Sequence, residues 1–413
     1  MQSIDFFKNN LELLFRIVEK INTPVFITDV AILKQKVDNI QKSFNKNCLL
    51  FYAIKTNFNP AIINVLKEAG INGIETISPF EINLAKKLGF DNNQILFTGN
   101  NCDADELEQA KNSGVIVNLG SISELNFFAK RYSGTEISIR INPGFGDGEF
   151  KQIITGGEDS KFGIYHTQIN EALKIINDNN LKLIGLHCHL GSGLYDTKNF
   201  TAMVDFMFKL AIQIGGLKFI DLGGGFGVRY KLTDKEVDLT QFAAVVNHHY
   251  KKYKSLASNN VKIILEPGKY LVAESTFLLT KITNIRNYNK QKIVGVDTGF
   301  NHIIRPALYS SYHHIINISK LEGINETVKV VGNICESTDI INENIELSNP
   351  EEGDILAILT AGAYCSSMSS LYNLRPYAPE ILIDENKFTV TRNRMSFEET
   401  IASMGFKNYS LIF

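Results

Sequence analysis

The sequence predicts an α/β protein: a (β/α)8 barrel followed by a C-terminal, mainly antiparallel β domain. From Leu49 onward, short apolar runs at 49–55, 73–78, 95–99, 115–121, 136–142, 183–189, 219–225 and 262–267 alternate with amphipathic segments. Eight strands alternating with helices over about 220 residues have the length and rhythm of a β/α barrel. After residue 270 the rhythm changes to short β-rich segments at 279–287, 293–298, 313–319, 327–333, 355–361, 380–385 and 387–392, with little room for crossover helices. An open doubly wound sheet would usually carry a Gly-x-Gly-x-x-Gly turn after its first strand; here that turn reads Lys55-Thr-Asn-Phe-Asn-Pro60.

The elements follow in order. Residues 1–20 place Phe7, Leu11, Leu14, Phe15 and Val18 on one helical stripe, and 24–28 reads as a short strand that joins the β domain. Segments 60–69, 78–88, 103–111 and 121–131 predict helices between barrel strands, with apolar spacings of three and four and a proline or capping residue near each start. The resulting division is an N-terminal segment, 1–30, that packs with the β domain, a barrel over 31–270, and the β domain over 271–413.

At 413 residues with 44% hydrophobic content, the chain can bury a large core. A net charge of -2 leaves no basic surplus to hold nucleic acid or an anionic membrane, so a small molecule is the expected partner. The N-terminus lacks a basic region followed by an apolar one, and no run approaches the roughly eighteen apolar residues of a membrane span. A cytoplasmic protein is expected. Cys48, Cys102, Cys188, Cys335 and Cys365 have no metal-type spacing, and their odd number argues for reduced thiols. Cys188 falls inside a predicted strand and reads as packing.

Residues with chemical potential fall at the carboxyl ends of the predicted barrel strands, where a barrel enzyme builds its site. Lys55 ends the first strand, Arg140 and Asn142 the fifth, His187 and His189 the sixth, Gly223-Gly-Gly225 the seventh and Glu266 the eighth. Taken alone, Lys55 reads as a lysine snorkelling out at a strand end. On this rim it is also held rigidly, and partial burial favours the neutral amine that attacks an aldehyde. The glycine run is either a plain turn or a cradle whose backbone N–H groups approach a phosphate. His187 and His189 alternate on one strand and face the same way. Metal binding would need a third ligand that the pattern lacks; His187 also reads as a satisfied core histidine. An imidazole against a planar ring, with Ser192 reaching a phosphate, uses both residue types better. A buried Glu266 needs a partner, and a protonated pyridine nitrogen serves. Together these groups describe a pyridoxal 5'-phosphate site.

The ordered motifs Tyr52-Ala-Ile-Lys55-Thr-Asn57, His187-Cys-His-Leu-Gly-Ser-Gly193, Gly223-Gly-Gly225, Glu266-Pro-Gly268, Cys335-Glu-Ser-Thr-Asp339 and Gly362-Ala-Tyr364 resemble the fold-type III pyridoxal phosphate decarboxylases, which share the alanine racemase-like barrel. The resemblance spans about residues 24 to 405. Arg140-Ile-Asn-Pro-Gly-Phe-Gly146, Gly156-Gly-Glu-Asp-Ser-Lys-Phe-Gly163, Arg305-Pro-Ala-Leu-Tyr309 and Met368-Ser-Ser-Leu-Tyr-Asn373 are similar to the branch that decarboxylates meso-diaminopimelate to L-lysine. The resemblance implies that Lys55 carries the internal aldimine, His189 stacks on the pyridine ring and Glu266 pairs with its nitrogen. It further implies that Ser192, Gly224, Gly225 and Tyr364 hold the phosphate. Arg305, Tyr309, Glu336 and Tyr364 would contact substrate, and Cys335 would return a proton to it. Family members are homodimers in which Cys335 and Glu336 come from the other subunit.

One position departs from the family pattern. Glu-Pro-Gly is usually followed by Arg, but here by Lys269, a point charge in place of a planar fork. Lys269 stays a candidate substrate contact, and the alternatives left open are ornithine, carboxynorspermidine or a siderophore precursor as substrate. A catalytically silent regulatory homologue is the rival of another class; the C-terminal motifs are those of decarboxylases rather than racemases.

Overall fold

The computed structural model describes residues 2–44, 48–149, 151–253, 255–256, 259–289 and 291–406. The ends of the expected division at residue 1 and at 407–413 lie outside the described residues. The amphipathic segments become helices where the sequence caps them. Ser78, Asp103 and Ser121 sit in extended backbone, and their side chains accept the N–H groups of Glu81, Glu106 and Glu124. Helices Pro79–Lys87, Ala104–Asn112 and Ile122–Arg131 start there, and Pro60–Glu68 starts on a proline behind the Asn59 cap.

The first strand, β1 (Val25–Asp29), pairs outside the barrel. The next nine are β2 (Cys48–Ala53), β3 (Gly73–Thr76), β4 (Ile95–Phe97), β5 (Ile116–Leu119), β6 (Glu136–Asn142), β7 (Ile164–Tyr165), β8 (Lys182–His187), β9 (Phe219–Asp221) and β10 (Lys262–Leu265). The order β5-β4-β3-β2-β10-β9-β8-β6 is parallel throughout and closes through a β5–β6 pairing, with β7 added on β6. Each of the eight apolar runs is a barrel strand, so the expected (β/α)8 barrel is present.

The barrel interior changes character along its strands. Phe51, Leu96, Ile184, Phe219 and Ile264 form a buried apolar layer with Leu49 and Ile116 against it. Inward positions on a strand recur every second residue, and two residues on from Ile116, Phe219 and Ile264 stand Asn118, Asp221 and Glu266, all buried. The apolar layer closes one end and the polar residues collect at the carboxyl end.

The chain divides into two compact units: Lys34–Val228 with Glu236–Leu271, which contains the barrel, and Met1–Leu33 with Arg229–Lys235 and Val272–Phe413. The second unit holds β11 (Thr276–Tyr288), β12 (Gln291–Val296), β13 (Ile315–Asn317), β14 (Asn325–Val331), β15 (Ile340–Ser348), β16 (Ile355–Ile358), β17 (Glu380–Asp384) and β18 (Lys387–Arg392). Their order is β15-β14-β12-β11-β1-β17-β18, with β16 on β11 and β13 on β16. The pairings are antiparallel except β1–β17 and β12–β14. As expected from its sequence, the early strand joins this sheet, between β11 and β17. Its alternate residues feed two cores: Val25 and Ile27 face one with Phe277 and Leu279, and Phe26 faces the other with Leu278 and Ile282.

Two expectations need correction. β15 is a strand that no apolar run marked, because Asn342 to Asn344 and Glu346 interrupt the alternation of Ile341, Ile345 and Leu347. Helix Ile4–Ile21 forms, but Phe15 is 39% exposed. The buried arc centres on Phe7 and Leu14 and turns toward Leu13 and Ile17, away from Phe15. Among the described residues no helix is long and apolar enough to cross a membrane.

Candidate active site

Lys55 lies on a 3-10 turn, Ile54–Thr56, immediately after β2. The recognisable Tyr52 to Asn57 motif builds that turn: Tyr52 Oη donates to the Asn57 carbonyl at 2.8 Å, and Thr56 Oγ1 donates to the Ala53 carbonyl at 2.7 Å. The Glu266-Pro-Gly268 turn packs against it, since a Cβ on Gly268 would stand 2.5 Å from Thr56 Cγ2. Lys55 Nζ donates to Glu75 Oε2 at 2.7 Å, with 35% of the lysine side chain exposed. Glu75, buried on β3, is a neighbour that the sequence reading missed. Its signal was an acid in an otherwise apolar strand. Burial pushes the Glu75 carboxyl up to about 7, against the pull of the Lys55 charge.

Glu266 follows β10 and is likewise buried. Its Oε2 lies 3.2 Å from His187 Nε2, and His187 Nδ1 is 2.9 Å from Asn118 Nδ2. An amide N–H donated to Nδ1 places the imidazole proton on Nε2, facing the carboxylate. Burial pushes His187 down, against the opposing pull of Glu266. Burial also pushes the Glu266 carboxyl up, but His187 and the Lys55 charge outweigh this and hold it at about 2. Asp221 accepts the Gly223 N–H at 2.8 Å. Burial, reinforced by the Glu266 charge, pushes the Asp221 carboxyl well above the usual carboxylate range.

His187, Asp221 and Glu266 bring candidate ligand atoms within 4.8 Å of one another, supplying the third group that the sequence pattern lacked. A protonated Asp221 is a poor metal ligand and instead sets an O–H beside Glu266. Arg140 is buried with its guanidinium 4.6 Å from the centre of the Phe162 ring, and burial pushes it down, against Glu266.

His189 lies past the end of β8, half-buried, and Gly224 N–H donates to its Nδ1 at 3.3 Å. Burial, with the Arg140 and Lys55 charges, holds it well below its ordinary value, so it presents a neutral ring. The glycine turn is laced to the segment carrying Ser192: Gly193 N–H and Leu194 N–H both donate to the Gly225 carbonyl, at 2.9 and 2.8 Å. Gly225 has φ +99°, and a Cβ there would stand 2.3 Å from the Gly191 carbonyl oxygen. Asn142 is structural: its side chain accepts the N–H groups of Gly144 and Gly157, both at 3.0 Å. Lys269 is buried, with Nζ 3.5 Å from Glu149 Oε2.

Lys55, His189, Ser192, Gly224, Gly225, Glu266 and Lys269 thus belong to the barrel unit, and Arg305, Tyr309, Cys335, Glu336 and Tyr364 to the other. Arg305 is buried, donates to the Tyr230 hydroxyl and covers that ring at 4.8 Å. Tyr309 ends the same short helix. Cys335 and Glu336 are exposed, and Tyr364 holds φ +59°, uncommon for a bulky residue.

The barrel residues fit pyridoxal phosphate. A buried, ionised Glu266 is costly to hold, and a cationic ring N–H at the strand ends would offset that cost. A lysine amine, a neutral flat imidazole and a glycine turn surround the same strand ends.

The family model described as "Pyridoxal-dependent decarboxylase, pyridoxal binding domain" matches residues 30–273. The chain is 37% identical to the diaminopimelate decarboxylase of Methanothermobacter thermautotrophicus over 396 residues, 93% of this chain and 92% of that protein. It is 33% identical to the Escherichia coli K12 enzyme of the same name, over 95% of this chain and 96% of that protein. The crystal structure of diaminopimelate decarboxylase from Helicobacter pylori complexed with L-lysine superposes with a TM-score of 0.87 at 31% identity, covering 96% of this chain and 99% of that one.

Proposed function

The chain belongs to the diaminopimelate decarboxylase family of pyridoxal-dependent decarboxylases; it is a pyridoxal phosphate-dependent carboxy-lyase, and we propose that it converts meso-diaminopimelate to L-lysine and carbon dioxide. The observation that carries the site is Glu266, buried and held ionised beside His187, Asp221 and the Lys55 charge at the strand ends that also hold Lys55.

When bound, pyridoxal phosphate supplies an aldehyde that captures the substrate amine and a cationic ring that accepts the electrons released with carbon dioxide. Lys55 would hold the cofactor through its amine, with Glu75 beside Nζ as a proton acceptor. Glu266 keeps the ring nitrogen charged, and His187 and Asp221 keep Glu266 oriented. His189 would support the ring, and Ser192, Gly224, Gly225 and Tyr364 would hold the phosphate. Arg305, Tyr309 and Lys269 would take the carboxylate distant from the reaction, Glu336 the distant amino group, and Tyr364 would also contact substrate. Cys335 would supply the proton to the carbon that has lost carbon dioxide.

The active form on this reading is a homodimer in which Cys335 and Glu336 serve the partner's site. We also place it in the cytoplasm, a reducing compartment that suits an odd number of cysteines without metal-type spacing. A second reading, another diamino acid as substrate, rests on Lys269, an ammonium that already lies near Glu149.

The deciding experiment offers the cofactor-loaded protein meso-diaminopimelate, L-lysine, ornithine and carboxynorspermidine in parallel, following carbon dioxide and the amine product. Lysine formed from diaminopimelate alone is the expected result. Turnover of another acid without turnover of diaminopimelate overturns the substrate assignment.

A further inference from the structure

We propose that Asp339 and Asn373 are positioning residues that fix the backbone of the Cys335–Glu336 turn and so aim the thiol at the carbon it protonates. The proposal rests on the reading of Cys335 as proton donor given above. Cys335 and Glu336 are exposed, so no apolar packing holds them. Their backbone is nonetheless bonded on both sides. Asp339, only 4% exposed, turns its carboxylate back beneath the turn: Oδ2 accepts the Ile334 N–H at 2.8 Å, and Oδ1 accepts the Phe300 N–H at 2.7 Å. The next N–H along, that of Cys335, is taken by Asn373 Oδ1 at 2.7 Å. Glu336 N–H donates to the Ile334 carbonyl at 2.8 Å, and Asp339 N–H to the Glu336 carbonyl at 3.1 Å, closing the far side of the turn.

The surroundings are shaped for this arrangement. A Cβ on Gly332 or Gly299 would stand 2.2 or 2.6 Å from Asp339 Oδ2, so both neighbours must be glycine for the carboxylate to fit. Asn373 reaches Cys335 from a left-handed backbone, φ 55°. The rings of Tyr372 and Phe300 stack with centroids 5.8 Å apart, tying the segment that carries Asn373 to the one that Asp339 holds. Burying a carboxylate costs free energy unless its bonds are made, and this one ties the turn that presents the thiol, through Ile334, to the segment that carries Phe300. In the step served, the S–H bond breaks as the C–H bond forms. The thiolate left behind takes its proton back from water.

The test uses the holoenzyme with Asn373→Ala and Asp339→Asn, and Cys335→Ser as reference. Run in heavy water, the reaction places one deuterium on the carbon that lost carbon dioxide, and its configuration reports which donor delivered it. A displaced thiol loses alignment and lets water compete, so kcat should fall roughly 10- to 100-fold. Deuterium should then lose stereochemical purity, and the rate of Cys335 alkylation by iodoacetamide, read on its own peptide, should change. Asn373 is exposed, so Asn373→Ala should fold, and it decides the matter alone if Asp339→Asn does not. Wild-type kcat and stereochemistry in the folded variants, with or without a lower melting temperature, overturn the positioning role while an inactive Cys335→Ser leaves the donor reading standing. A fully active and stereochemically faithful Cys335→Ser protein removes the donor reading itself, and the positioning role with it.

Discussion

Glu75 lies buried against Lys55, and burial pushes its carboxyl up to about 7 while the lysine charge pulls the other way. Its folded value stands above the ordinary 4.5. Between those values the folded protein keeps a proton that the unfolded chain has released, so stability is highest below the window and falls as pH rises through it. The loss amounts to at most about 3 kcal/mol. Glu266, held at about 2, runs oppositely: its contribution is present above 4.5 and disappears as pH falls toward 2. Glu75→Gln cannot titrate, so the urea midpoint of the cofactor-free variant should change less between pH 5 and pH 7 than that of the parent protein. Equal slopes would assign the titration to another group. Glu75 and Asp221 were hidden from a reading that sought apolar runs, since each is one acid inside such a run. The usable signal was the two-residue period of a strand, which sets Asp221 on the same inward side as Phe219.

At the scale of elements, the helices of the barrel were legible because capping is local chemistry. Ser78, Asp103 and Ser121 each sit directly before the helix they cap. The first helix was legible as a helix but not in its facing. Its sequence offers apolar residues over a wide arc, and only packing selects which part is covered. Phe7, Leu13, Leu14 and Ile17 meet Val25, Ile27, Phe277 and Leu279 in one buried cluster, leaving Phe15 outside. Leu14→Ala should therefore cost about 2 to 5 kcal/mol, the range for emptying a well-packed site. Phe15→Ala removes a larger side chain yet should cost less than about 1 kcal/mol, because little of its surface is covered. Chemical denaturation of the two variants would show it, and a larger loss for Phe15→Ala would reject the observed facing. β15 was missed because its solvent-facing positions carry Asn and Glu, an alternation read as a polar loop when only apolar runs are sought.

At the scale of the molecule, the barrel was legible from rhythm because each parallel strand is buried on both faces and so reads as a continuous apolar run. The placement of the candidate site residues at the strand ends was legible for the related reason that strand ends carry a barrel's chemistry. The residues of the other unit had no such frame: Arg305, Glu336 and Cys335 look like a loop brace, an acidic turn and a stray thiol until a family resemblance gives them roles. If Cys335 serves the partner's site, the roles of the two units can be separated genetically. Lys55→Ala and Cys335→Ala should each be inactive alone. After dissociation and remixing in equal amounts, random pairing makes half of the dimers heterodimers. In each of these, one site carries both defects and the other carries neither, because the symmetric interface exchanges the same surfaces. Activity should then return to about a quarter of that of the parent protein. Were Lys55 and Cys335 of one chain to serve the same site, every site in every dimer would keep one defect and remixing would restore nothing. The measurement distinguishes a shared site from a self-contained one without needing the substrate contacts to be known, and it reads the assembly through chemistry rather than through size.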